Sequence, residues 1–182
     1  MKIAVLALQG AFIEHEHVLQ RLGIETVEIR QLSDWQKGRW DALILPGAES
    51  TVQMRLLHEF GLFEPIRKAI SDGLPVLGTC AGMILLSDGY LGTMHIRVRR
   101  NAYGRQLGSF HTTGIVDGVG ADFPMTFIRA PYIEEVLADD CCPIATVDGH
   151  IVAARQGNQI ATAFHPELDE DLRLHQFLID MI

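Results

Sequence analysis

Strand-like and helix-like segments alternate through the first half of the chain, and this rhythm limits the fold more than any other feature. Residues 2–8 are a short, nearly all-apolar run, the pattern of a strand covered on both faces. Gln9-Gly10 breaks the run, and residues 11–22 follow with Phe12, Leu19 and Leu22 at helical spacing before Gly23 stops them. Residues 25–30 have the β-branched pattern of a strand, and residues 41–45 form another that ends at Pro46-Gly47. Residues 50–59 and 62–72 read as helices with Gly61 and Gly73 as their stops. Residues 74–79 are a fourth strand, and residues 81–87 open a further helix. This order predicts βαβ units and a parallel sheet.

The second half changes character. Residues 96–100, 109–116, 125–129, 144–147, 150–155 and 159–164 are strand-like, punctuated by the hairpin signals Asp117-Gly118, Asp148-Gly149 and Gly157-Asn158. An antiparallel section therefore follows the parallel one. Leu168, Leu172, His175, Ile179 and Ile182 then mark a closing helical stripe. The expectation is an α/β fold: a three-layer open sheet, mostly parallel, with an antiparallel section. Length supports one domain over residues 1–182, since 182 residues match the usual size of a single domain.

Composition removes several function classes. A net charge of −8 disfavours a nucleic-acid or anionic-membrane binder. No apolar run approaches the ~18 residues of a membrane span, and residues 1–5 enter structure without a signal-peptide layout. Three cysteines, two of them adjacent, do not make a disulfide framework. A cytoplasmic location is the expectation.

The chemistry concentrates in Gly78-Thr79-Cys80-Ala81-Gly82, where a strand gives way to an apolar helix start. This is the cysteine version of a nucleophile elbow, a sharp turn that exposes its central side chain. Glycines on either side relieve the crowding, and a helix N-terminus favours a thiolate and offers backbone N–H groups to an oxyanion. The same pentapeptide also fits a buried cysteine between turn glycines. A nucleophilic thiol needs a base and the base an orienter. Phe164-His165-Pro166-Glu167 supplies both, because in extended chain His165 and Glu167 point to one side. Pro46-Gly47-Ala48-Glu49-Ser50 lies past the C-terminal end of a strand, where open α/β sheets collect ligands. There Gly47 can offer an N–H to a tetrahedral intermediate, Glu49 can meet a substrate ammonium, and Ser50 fits a helix N-cap.

Strand parity places Arg97 and Arg99 on one face and Arg100 with Ile96 and Val98 on the apolar one, so Arg100 wants an anionic partner. Arg129 stands the same way. Arg97, Arg99, Arg100 and Arg105 cluster without interleaved aromatics, a weak nucleic-acid signal. Glu14-His15-Glu16-His17 is a poor chelate on a helix and reads as a solvated or interface face. Cys141-Cys142 reads as a loop.

With these segments assembled, the chain resembles the class I (triad) glutamine amidotransferases, whose fold is flavodoxin-like. More narrowly it is similar to the glutaminase subunits of pyridoxal 5′-phosphate synthases. The elbow and His165-Pro166-Glu167 carry the wider resemblance. Leu8-Gln9-Gly10-Ala11, Arg100-Asn101 through Gly104-Arg105-Gln106, and Phe127-Ile128-Arg129-Ala130-Pro131 carry the narrower one. The resemblance implies a Cys80-His165-Glu167 triad that hydrolyses L-glutamine. It implies substrate contacts from Ala48, Glu49, Ser50, Arg100, Ile128 and Arg129, and an oxyanion site from Gly47, Ala48 and Ala81. Gln9, Gly10, His15 and His17 would lie at an interface with a barrel-type synthase subunit in a large hetero-oligomer, and neither metal nor organic cofactor is implied. The family's oxyanion loop reads P-G-G-E-S, and Ala48 stands at its second glycine. A glutaminase serving another synthase, an inactive scaffold and a redox sensor are the alternatives.

Overall fold

A computed structural model describes residues 1–100 and 109–182; the predicted Asn101–Arg105–Gln106 part of the family-like segment lies outside the described residues. The strands β1 (Lys2–Leu6), β2 (Glu25–Ile29), β3 (Ala42–Leu45) and β4 (Val76–Thr79) alternate with helices α1 (Phe12–Arg21), α2 (Leu32–Gln36), α3 (Ser50–Glu59), α4 (Phe63–Ser71) and α5 (Ala81–Leu86). The rest comprises β5 (Ile96–Arg99), β6 (Ser109–Val116), β7 (Gly120–Ile128), β8 (Tyr132–Val136), β9 (Cys141–Val147), β10 (His150–Gln156), β11 (Gln159–Thr162) and α6 (Arg173–Ile179).

The main sheet runs β2-β1-β3-β4-β11-β10-β8-β5, with β9 paired to β10, while β6 and β7 form a separate hairpin. β2, β1, β3, β4 and β11 are mutually parallel, and every pair from β11 through β10 to β5 is antiparallel. Strand order reverses at β1, so a crevice opens beyond the C-terminal ends of β1 and β3. α1 packs against β1 and β2, α2 against β2, and α3 against α4 and α5. β3 and β4 are buried along their full length, as strands covered on both faces must be. α5 is buried at all six residues and lies against β3, β4 and β11. The apolar core extends from Ile3 and Leu43 in the parallel half to Phe127, Val152 and Phe164 in the antiparallel half.

Several expectations are corrected here. Cys141 and Cys142 are not a loop; they open β9, pairing with Gln156 and Arg155, and Cys141 is buried. Burial pushes the Cys141 thiol up to about 11, with Asp140 adding to the effect. β7 begins five residues earlier than predicted, because Pro124 sits within it opposite Thr113. A two-stranded hairpin has free edges and tolerates a residue with no N–H. β8 carries no clear strand pattern of its own. Its Glu134 and Glu135 look like ordinary solvated carboxylates until β5 is laid beside them, where Arg97 bonds Glu135 and Arg99 lies 3.6 Å from Glu134. The register skips Glu134 between Arg97 and Val98, a bulge that leaves two acidic residues facing the arginine edge.

Candidate active site

The crevice at the strand-order reversal is held open by backbone and amide contacts. Ala11 N–H donates to the Gly47 carbonyl (3.0 Å), tying the turn after β1 to the turn after β3. The buried Gln53 amide donates to the carbonyls of Gln9 (3.3 Å) and Pro46 (3.2 Å), and Glu49 N–H donates to the Gln9 side chain (3.2 Å). Gln53 escaped the sequence reading; its place on the buried stripe of α3 with Leu57 is the signal that marks it. These links wall a cavity of about 550 Å³ lined by Gln9, Gly47, Ala48, Glu49, Cys80, Ile128, Arg129 and His165. A recess of about 70 Å³ adjoins it and adds Ser50, Ala81 and Arg100 to the lining.

Cys80 occupies a strained turn between β4 and α5, with φ 51° and ψ −103°. Such a conformation in a non-glycine residue costs about 1–3 kcal/mol, which the surroundings must offset. Those surroundings are two close approaches. A Cβ on Gly82 would stand 1.9 Å from the Leu45 carbonyl oxygen, and one on Gly78 would stand 2.6 Å from the Gly82 oxygen. Only hydrogen at both positions lets α5 begin directly against β3 and β4, and this presents the thiol at the cavity floor.

His165 follows β11 and fixes its backbone by donating its N–H to Thr126 O at 2.8 Å. Its Nδ1 is 2.6 Å from Glu167 Oε1, which leaves Nε2 free to meet the Cys80 thiol that lines the same cavity. The pair forms by a different local route from the one expected. Residues Pro166–Leu168 make a 3-10 turn rather than continued strand, and this turn brings Glu167 back onto the ring. Burial pulls the imidazole's pKa down, but the hydrogen bonds to Cys80 and Glu167 and their charges outweigh it, raising His165 to about 10. These contacts favour the protonated ring over the neutral one.

The remaining predicted residues divide. Arg100 follows β5, is exposed, and finds its anionic partner in Glu49 (3.1 Å), with a further bond to Thr51 (3.3 Å). Glu49, not Ser50, caps α3, accepting Val52 N–H at 3.1 Å. Ser50 is instead the first helical residue, buried, with its hydroxyl unpartnered among the described residues. Arg129 reaches the cavity through a left-handed backbone at φ 43°. Ala48 has no positive φ, so alanine is unstrained where the resemblance implies a second glycine. Gly10 is exposed beside Gly47, and His17 is exposed on α1. His15 contradicts its placement on an interface. It is fully buried, with Nδ1 2.8 Å from His175 Nε2 and Nε2 3.2 Å from Thr79 Oγ1, behind Glu167.

A family model, the SNO glutamine amidotransferase family, matches residues 5–182. The chain belongs to this family. A relative from Streptococcus pneumoniae named pyridoxal 5′-phosphate synthase subunit PdxT is 54% identical, covering all of this chain and 97% of its own. One of the same name from Methanocorpusculum labreanum is 55% identical, covering all of this chain and 98% of its own. A solved glutamine amidotransferase superposes with a TM-score of 0.90 at 40% identity, over 98% of this chain and 97% of that one. A chain of the PurLQS structure from Thermotoga maritima shares the fold at TM-score 0.68 and 18% identity, over 98% of this chain and 97% of that one.

In this SNO-family chain the two histidines behind Glu167 make stability pH-dependent. Burial, with the nearby His175 and His165, holds His15 well below its ordinary range, and burial lowers His175 to about 4. Both rings fold neutral and take up protons only when released, so their contribution is complete above pH ~6.5 and is lost as pH falls toward 4. The raised His165 has the opposite sign. Its contribution is complete below pH ~6.5 and lost as pH rises through about 10. Between pH 6 and 4.5 the proton uptake on unfolding should therefore fall by roughly one in His175→Phe relative to wild type. Urea-unfolding free energies across that window measure it; equal slopes would contradict a neutral buried His175.

Proposed function

We propose that this chain is the glutaminase subunit of a pyridoxal 5′-phosphate synthase, with residues 1–182 working as one domain. In this reading it hydrolyses the side-chain amide of L-glutamine and hands ammonia to a barrel-type synthase subunit in the cytoplasm. The observation that carries the chemistry is the elbow Cys80 sharing one cavity with a His165 that is bonded to Glu167.

The Cys80 thiolate attacks the carboxamide carbon. The oxyanion is met by the N–H of Ala81, which at the first position of α5 lies outside the helix's own ladder, and by the Gly47-Ala48 loop. The His165 imidazolium gives its proton to the departing ammonia and, now neutral, takes one from the water that releases glutamate from the thioester. Arg100 and Arg129 bring positive charge to the glutamine carboxylate. Glu49 is already engaged by Arg100 and by the α3 terminus, so it binds the ammonium as part of that ion pair. In this reading Gln9, Gly10 and His17 face the synthase, while the fully buried His15 does not. Ammonia becomes ammonium in bulk water, so it is passed on within the complex.

Glutamate release from L-glutamine, with and without the barrel synthase, tests this reading. Turnover is expected with the synthase present and should vanish in Cys80→Ala. Silence in a confirmed complex of the wild-type chain would overturn it.

A further inference from the structure

Glu167 has two carboxylate oxygens and only one is accounted for. Oε1 is bonded to His165, while Oε2 is buried and lacks a hydrogen-bond partner among the described residues. The polar group facing Oε2 is His15 Nε2, 3.5 Å away, on a side chain with no exposure. An unmatched oxygen on a buried carboxylate is costly, so the proton state of His15 decides whether the site is sound.

That state follows from the far end of the network. His175 Nδ1 is buried with no partner among the described residues, so a proton there would be an unmet donor. The neutral His175 ring keeps its proton on Nε2 and donates it to His15 Nδ1 across 2.8 Å. Nδ1 of His15 is then an acceptor, and its own proton sits on Nε2, aimed between Thr79 Oγ1 (3.2 Å) and Glu167 Oε2 (3.5 Å). The opposite tautomers would strand a buried donor on His175 and turn a lone pair on His15 toward a carboxylate. Burial of both rings keeps them neutral, consistent with a single donor at each link.

From this chain of contacts we infer that His15 is a positioning residue of the triad: its Nε2–H faces the outer oxygen of Glu167 and fixes the carboxylate plane against His165. The inference rests on the glutaminase reading for its kinetics, though not for its geometry. At 3.5 Å the contact is long for a hydrogen bond, as such contacts often are before substrate binds and tightens them. His15 touches neither substrate nor thiol. It acts through Glu167, with Thr79 and His175 setting its ring.

Two isopolar replacements separate the nitrogens. His15→Gln carries its amide to the Nε2 position and can still donate toward Glu167, whereas His15→Asn reaches only the Nδ1 position, toward His175. In complex with the barrel synthase, His15→Asn should lower kcat about 10- to 100-fold with KM held within about twofold, and His15→Gln should stay within about threefold of wild type. Iodoacetamide alkylation of Cys80 against pH is read in parallel, because it needs no turnover. The Asn variant should alkylate more slowly at pH 7 with its profile moved to higher pH, and the Gln variant should follow wild type. Equal kcat values for Asn and Gln, or the reverse order, would overturn the inference. A silent wild-type complex would instead bring down the glutaminase reading. The three alkylation profiles would then decide the positioning role, and their coincidence would reject it.

Discussion

Glu167→Gln is expected to lower kcat for glutamine hydrolysis by the synthase-bound chain by about 10³- to 10⁴-fold, with KM nearly unchanged. The carboxylate can only accept, so at 2.6 Å it keeps a proton on His165 Nδ1 and turns Nε2 to Cys80. An amide in its place has two orientations, and both fail. With nitrogen toward His165 it donates to Nδ1, drives the ring into the wrong tautomer and removes the base from the thiol. With oxygen toward His165 it places its own donors against the Nε2–H of His15, a repulsion between two fully buried groups. Either way the charge that supports the imidazolium is gone. Two of the contributions that raise His165 to about 10, the hydrogen bond and the charge of Glu167, are lost together. The imidazolium is then lost at lower pH and no longer supports the thiolate, so the rise of Cys80 alkylation with pH should move to higher pH along with the fall in kcat. A kcat within tenfold of wild type would mean that His165 is oriented by something other than Glu167.

How far the sequence foretold this site depends on the distance over which each decision is made. The elbow is local: Gly78, Cys80 and Gly82 within five residues announce a turn that only glycine flanks permit, and the turn is there. His165 and Glu167 are also close in sequence, so their pairing was foreseeable although the 3-10 turn that makes it was not. His15 is the opposite case. Glu14-His15-Glu16-His17 has the polar texture of a solvated helix face, and nothing within one helical turn says otherwise. Its burial is decided by Thr79 and His175, 64 and 160 residues away, which give an inward imidazole the partners it needs. Likewise Glu134-Glu135 becomes strand only beside the arginines of β5. Periodicity reports which face a residue occupies on its own element. It does not report that a remote element supplies the polar partner without which that face could not be buried.

The same added methyl group should have opposite consequences at two glycines of the site. Gly82 lies in α5 without a positive φ, and by helix propensity alone alanine there would be favourable by roughly 0.5–1 kcal/mol. Space reverses the sign. Its Cβ would lie 1.9 Å from the Leu45 oxygen and 2.8 Å from the Leu45 carbonyl carbon, backbone atoms of a buried strand that have no rotamer to change. Gly82→Ala should therefore cost about 3 kcal/mol and lower Tm by about 6–12 °C, measured calorimetrically. At Gly47 the obstacle is a side chain: the Cβ would meet His165 Cε1 at 2.4 Å and Nδ1 at 3.0 Å. An imidazole at the edge of a cavity can swing away, so Gly47→Ala should fold with a Tm near wild type. That swing moves His165 off both Cys80 and Glu167, and a displacement on the order of 1 Å in such a pair costs about 100-fold in kcat. A Gly82→Ala chain that melts like wild type would contradict the β3–α5 contact on which the elbow rests. A Gly47→Ala complex with full turnover would contradict the placement of His165, since the ring cannot share its volume with a methyl group and still meet the thiol.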